Sequence, residues 1–204
     1  MKHQHDFQAE RMVANHCEEL MARAAPRFDR AEAAQSLFER LCSDLSERLR
    51  GHLVGPRPVI SGDAGSSQTG DALMRGIGRK AANYLTKLGP VGPTLLISFD
   101  LANATKLTDR LFGGDGGSPK EEPETLTLST SLTLQHLARS IAQGFATSAN
   151  LHRQTPEILH DSDVARLAPF ERNAYCFAWS ISIAQGDLGP WNMAVALPES
   201  ELDA

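Results

Sequence analysis

The sequence predicts an α+β fold built from two similar halves, each running long helix, short strand, β-hairpin. Three observations predict it. Two stretches, Ala31 to Leu53 and Leu126 to Asn150, carry apolar residues at three- and four-residue spacing, the signature of amphipathic helices. Two β-rich pairs of runs are each interrupted by a Gly-Pro turn, GPVGP at Gly89 and GDLGP at Gly186. The turns lie 97 residues apart, and the same offset carries Leu37 onto Leu134 and Gly92-Pro93 onto Gly189-Pro190. A repeated turn alone is weak. Repeated with a helix in the same order, it argues for two halves, about 30–115 and 125–202, packed into one pseudo-symmetric domain with largely antiparallel sheets inside and the long helices outside.

Residues 1–28 are polar, with a thin stripe of Met12, Val13 and Leu20 cut short by Pro26, and read as an N-terminal arm ahead of a domain over 29–204. His3, His5, His16 and Cys17 within it lack a recognisable ligand spacing, so no metal is expected. In the first long helix Leu37, Phe38, Leu41, Cys42, Leu45, Leu49 and Leu53 form the apolar face, and Glu39, Arg40, Asp44, Glu47 and Arg48 the wet one. Pro56 and Pro58 then force extended backbone into a short Val59–Ile60 strand. SGDAGSSQTGD reads as a loop, and Asp71 to Ile77 as a short helix. GIGRKA, from Gly76 to Ala81, half-matches a dinucleotide fingerprint, but no strand leads into it and no helix follows, so no cofactor is expected. Asn83 to Leu88 and Thr94 to Phe99 pair as the first hairpin.

In the second half, Leu134, Leu137, Ala138, Ile141, Phe145 and Ala149 line one side of the long helix, with His136 beside that stripe and His152 beyond its end. Pro156 to Leu159 reads as a short strand and HDSD as a turn, in which Asp161 and Asp163 make local hydrogen bonds beside His160. Asn173 to Ala184, with Tyr175, Phe177, Trp179 and Ile181 on one face, pairs with Trp191 to Leu197.

Composition narrows the class. Of 204 residues, 41% are hydrophobic and 22% charged, the balance of a folded globular chain. A net charge of −5, with Lys and Arg scattered, lacks the basic footprint of a nucleic-acid or anionic-membrane binder. Three widely spaced cysteines, Cys17, Cys42 and Cys176, form no C-x-x-C pair and read as reduced thiols. The first residues lack a signal-peptide core and no apolar run is long enough to span a bilayer, so a cytoplasmic protein is expected.

The most unusual stretch is TDRLFGGDGG, Thr108 to Gly117. Leu101, Leu107, Leu111 and Phe112 predict a helix of about three turns whose apolar side enters the core, and the glycines end it because they tolerate positive φ. A bare backbone loop then stands at the end of a rigid helix. Such a loop turns the chain, cradles an anion, or lets a partner's backbone come close.

The run LLISFDLANATKLTDRLFGGDGG resembles the middle domain of the flagellar motor switch protein FliM: a strand, then a helix bearing an aspartate and a hydrophobic pair, then a GGxG loop. Asp109, Leu111, Phe112, Gly113, Gly114 and Gly116 fall on that pattern, and Arg166 to Leu202 is similar to the same domain's closing hairpin. The resemblance implies a CheC-like α/β/α domain with pseudo-two-fold symmetry. It implies a protein-binding scaffold of the rotor ring that contacts FliG through Asp109, Arg110, Gly113, Gly114, Asp115, Gly116 and Gly117. It further implies lateral self-association, contact with other switch-complex proteins, and a place at the flagellar basal body, peripheral to the inner membrane. Gly117 stands where the family usually has a basic residue, and no acidic-hydrophobic CheY-capturing motif lies in Met1 to Leu20. The sequence does not continue into the family's C-terminal FliN-like domain, which reads as a shortened or divergent form or as a fragment of a longer protein. The enzymatic rival on the same fold is a CheC-type phosphatase of phosphorylated CheY. That chemistry needs an E-x-x-N pair on an outer helix to orient water, and Glu39, Glu47, Gln135 and Gln143 have no Asn three residues on. GSSQTG is likewise not a G-x-S-x-G elbow, so no catalytic residue is expected.

Overall fold

In the computed structural model, which describes residues 30–63, 65–77, 81–88, 94–117, 124–148 and 156–202, the first long helix (α1) spans 30–50. Its three- and four-residue spacing buries Ala34, Leu37, Phe38, Leu41, Leu45 and Leu49 against a sheet. Each such leucine contributes about 2 kcal/mol of transfer free energy, so this one face supplies much of the drive to fold. Helix α4, Leu128–Ser148, presents Leu134, Leu137, Ala138, Ile141, Ala142 and Phe145 to the same core, and Thr127 caps its start by accepting from the Thr130 N–H at 3.2 Å. The two helices touch at Gly144, where a Cβ would sit 2.6 Å from the Asp44 carboxylate and 3.1 Å from Arg48 Nε. Arg48 also reaches Thr147 Oγ1 at 3.3 Å.

The strands are β1 (Val59–Gly62), β2 (Ser66–Thr69), β3 (Ala81–Lys87), β4 (Thr94–Asp100), β5 (Glu157–Asp161), β6 (Tyr175–Gln185) and β7 (Leu188–Pro198). They form a single seven-stranded sheet of order β1-β6-β7-β4-β3-β5, with β2 pairing β6 next to β1. Every pairing is antiparallel. The two hairpins, β3–β4 and β6–β7, meet at the centre through β4 and β7. The outer strands are exchanged: β1 of the first half closes the second hairpin, and β5 of the second half closes the first.

Odd and even positions then face different layers. Leu95, Ile97 and Phe99 of β4, with Trp191, Met193 and Val195 of β7, join α1, α4 and the inner side of α3 (Leu101–Leu111). Leu96, Cys176 and Ala196 point the other way, toward α2 (Gly70–Ile77) and α5 (Val164–Leu167). The architecture is the expected α+β, α/β/α arrangement, with both long helices on one face. A short 3-10 turn, Glu199–Leu202, follows β7. No helix among the described residues is long and apolar enough to cross a membrane.

Three expectations are corrected. SGDAGSSQTGD is not a loop, because Ser61 and Gly62 extend β1 and Ser66–Thr69 form β2. Neither segment alternates apolar with polar residues; backbone pairing with β6 makes them strands. In HDSD, His160 and Asp161 belong to β5, and the turn begins at Ser162. Tyr175 shares a strand face with Phe177 and Trp179, as expected, at the sheet's end and 49% exposed. The 97-residue offset holds for Leu37, Leu41, Leu45 and Leu49 against Leu134, Ala138, Ala142 and Ala146, all buried, and for Tyr84 against Ile181. It fails on the last strand, since it carries buried Leu95 onto exposed Asn192. The cause is a tight turn at Gly186-Asp187, with Gly186 at φ 59°, which puts Gly189-Pro190 inside β7 and leaves a bulge near Ile183 and Gln185. GPVGP, residues 78–80 of GIGRKA, the 1–28 arm with its histidines, and SPKEEP fall outside the described residues.

Candidate functional site

Helix α3 is positioned by its caps and its inner face. Asp100 Oδ1 accepts from the Asn103 N–H at 2.8 Å, and Leu101, Ala104 and Leu107 lock the helix onto the sheet. At its other end Phe112 leaves the helix at φ −88°, ψ 7°, its N–H still donating to Thr108 O and Asp109 O. Gly113 at φ 86° and Gly116 at φ 69° take the left-handed conformations that end the helix and turn the loop.

The loop is held from within by two of the predicted site residues. The Asp109 carboxylate lies beneath Gly114 and accepts from the Gly116 N–H at 2.9 Å, while the Gly114 N–H donates to Asp109 O at 2.9 Å. A Cβ at Gly114 would overlap that carboxylate, which is why glycine stands there. The Arg110 guanidinium donates to Gly114 O at 3.0 Å, to Gln185 Oε1 at 3.1 Å and to Val54 O. Gln185 is 1% exposed and passes the tie on, its Nε2 donating to Pro56 O at 2.8 Å. One arginine therefore knits the loop, the segment after α1 and the end of β6 into a rigid corner.

The remaining residues face outward. Gly113 has open space on the Cβ side, Asp115 is exposed and accepts from the Gly117 N–H at 2.9 Å, and Gly117 is exposed beside it. Phe112 corrects the sequence reading. Counted as helix it falls about 20° from Leu101 on the wheel and belongs inside, yet the chain leaves the helix at this residue and the ring stands 69% exposed. Leu111 alone of the expected hydrophobic pair packs against the core. Val54, whose carbonyl Arg110 holds, is also exposed, at 73%. Beside the loop lies a cleft of about 360 Å³ between Lys106, Asp115, Gly116, Asp187, Leu188 and the buried Trp191. Of the cleft residues, sequence reading named Asp115, Gly116 and Gly117 as site residues and missed the rest, because Asp187 and Trp191 arrive only through the sheet pairing that brings β7 beside α3.

Elsewhere, polar side chains with catalytic precedent are engaged. Glu39 accepts from Gln35 at 2.9 Å and Glu47 pairs with Arg57 at 2.8 Å. Burial, reinforced by the Glu39 charge, pushes the Cys42 thiol up to about 11, and burial with Glu199 does the same for Cys176. Both are therefore thiols rather than nucleophilic thiolates at neutral pH. His160 packs against Tyr84 with ring centroids 4.8 Å apart and the planes tilted by 32°, and partial burial lowers its pKa despite the opposing charge of Asp161.

Comparison with solved structures places this arrangement. The fold is that of the FliM middle domain. A crystal structure of a FliG–FliM complex from H. pylori superposes with a TM-score of 0.75 at 16% identity, covering 86% of this chain and 98% of that one. The FliM middle domain from H. pylori gives 0.70 at 15%, covering 86% and 97%. FliY from Thermotoga maritima gives 0.62 at 11%, covering 85% and 89%. No protein-family model matches the chain, and no curated protein sequence matches it. The FliM likeness therefore resides in the fold, at 11–16% identity.

Proposed function

We propose that the chain is a non-enzymatic scaffold of a flagellar switch complex that holds a FliG-like rotor protein through the loop after α3, stands beside copies of itself in a ring, and works at the cytoplasmic side of the basal body. The observation that carries this reading is the division of labour in the loop. Asp109 and Arg110 are spent on internal bonds, leaving a stiff glycine surface with one large apolar ring projecting from it. Preorganised backbone with an aromatic knob is the anatomy of a protein contact, since little entropy remains to be lost and one anchor carries most of the energy. The fold shared with FliM, one example of which was solved in complex with FliG, supports the choice of partner. The site thus becomes Phe112, Gly113, Asp115 and Gly117 on the outside, with Asp109, Arg110, Gly114 and Gly116 as its frame.

The test is Phe112→Ala against the FliG homologue of the same cell, measured by calorimetry and by pull-down. A phenylalanine offers about 200 Å², so 69% exposure leaves about 140 Å² for a partner to cover, worth up to about 3.5 kcal/mol at 25 cal/mol/Å². Binding is expected to fall thirtyfold or more while the urea midpoint stays put. Equal retention of both proteins would sink the loop assignment. In a phosphorylated-CheY decay assay the chain is expected to leave the rate unchanged; acceleration would overturn the non-enzymatic reading.

A further inference from the structure

We propose that the groove between α2 and α5, on the sheet face opposite the long helices, docks a chain segment of a partner protein that presents one carboxylate beside an apolar side chain. The groove encloses about 890 Å³. Met74, Val164 and Phe170 form its apolar floor and continue the second core cluster with Leu73 and Leu96. Helices of eight and four residues are too short to roof that cluster, so it stays open along one side. An open trough of this length suits a polypeptide segment better than an enclosed small molecule.

Its walls are fixed before anything binds. The Gly70 N–H donates to Ala174 O at 2.9 Å and the Asp71 N–H to Arg172 O at 3.0 Å, bolting the start of α2 to the base of the groove. A Cβ at Gly70 would sit 2.5 Å from Glu171 O, so that contact requires glycine. Charge then selects the occupant. Asp71 and Arg75 pair with each other at 3.0 Å, and Asp163 accepts from the Ala165 N–H at 3.0 Å. The Arg172 guanidinium has no partner among the described residues. One uncommitted cation at the edge of an apolar floor, on a chain of net charge −5, is complemented by a carboxylate next to an apolar side chain. Met74 suits such a floor, because its unbranched side chain adapts to different apolar shapes.

The experiment pans a phage library of random twelve-residue peptides on the immobilised full chain and measures synthetic winners by fluorescence anisotropy. Winners are expected to carry Asp or Glu beside Leu, Phe or Met, and to bind wild type and Phe112→Ala alike, which separates this groove from the α3 loop. Arg172→Glu and Ala165→Glu, both at exposed positions, are expected to keep the wild-type melting temperature and to weaken binding about tenfold. Replacing the winner's acid by Lys is expected to restore binding to Arg172→Glu. Absence of enrichment, winners without acids, or equal binding by Arg172→Glu would each overturn the proposal. So would sedimentation in which the chain self-associates through this groove and Arg172→Glu abolishes it, since the occupant would then be a second copy.

Discussion

Replacing Arg110 by Met tests whether the loop's frame is built as described. Methionine keeps the apolar stem of the side chain and deletes the three hydrogen bonds to Gly114 O, Gln185 Oε1 and Val54 O. Charge-assisted bonds of this kind contribute up to about 3 kcal/mol each when buried, but Arg110 is half-buried, so about 1 kcal/mol each is the better figure. To this is added an unpaired Oε1 on Gln185, a residue almost wholly buried, which water reaches only by loosening the corner. The expected loss is about 4 kcal/mol, read as a fall in the urea midpoint at unchanged m. Hydrogen exchange supplies the local half of the test: the Gly114 and Gly116 amides, which donate to Asp109, should lose protection beyond the global change. A loss under about 0.5 kcal/mol with unaltered exchange would refute the argument, because the loop would then hold its shape without the arginine.

Three further outcomes follow from particular residues. Gly113→Asn keeps a residue that tolerates left-handed backbone and meets open space, so it should cost less than about 1 kcal/mol, whereas Gly114→Ala must push the Asp109 carboxylate off the Gly116 N–H and should cost more; urea titration of the two reveals the order, and the reverse order would be fatal to the geometry. Ala168 sits at φ 43°, ψ 55° after α5, where a side chain costs about 1 kcal/mol or more; Ala168→Gly should raise the unfolding free energy by about 0.5 kcal/mol after the entropy of glycine is subtracted, seen as a higher urea midpoint. His160, with a folded pKa below its ordinary 6.5 because burial disfavours its charged form, favours folding above that value and loses the contribution as pH falls toward the folded pKa. His160→Asn should therefore show a flatter decline of stability between pH 7 and 5 than wild type, and parallel declines would contradict the assignment.

What could be read from the residues depended on where the determining force lay. Helices α1 and α4 were legible because burial of a whole face writes itself into three- and four-residue spacing, and their faces agree with the 97-residue offset first read from the two Gly-Pro turns. The first hairpin was legible for the same reason, its odd and even residues entering two different cores. β2 was not, because Ser66 to Thr69 owe their conformation to pairing with Tyr175 to Ala178, more than a hundred residues away. In the loop, the glycines and Asp109 marked a special conformation, but the division into frame and surface depends on Arg110 meeting Gln185 across the fold. Phe112 was placed inside by a helical count that stops applying at the residue where the helix stops. The α2–α5 groove left no local trace, since its floor is assembled from three separate segments.

The exchange of outer strands has a consequence for how such a chain can come into being. With β1 completing the second hairpin and β5 completing the first, neither half possesses a finished sheet of its own. A half released alone would present open backbone along a hairpin that its sister normally covers, and the two would be sticky toward each other and toward copies of themselves. Folding is thus all-or-none across a sequence separation of 184 − 59 = 125 residues, from Val59 to Ala184, and waits on long-range closure. At high concentration the same interlock can close between two molecules instead of within one, each lending a half to the other as a domain-swapped pair.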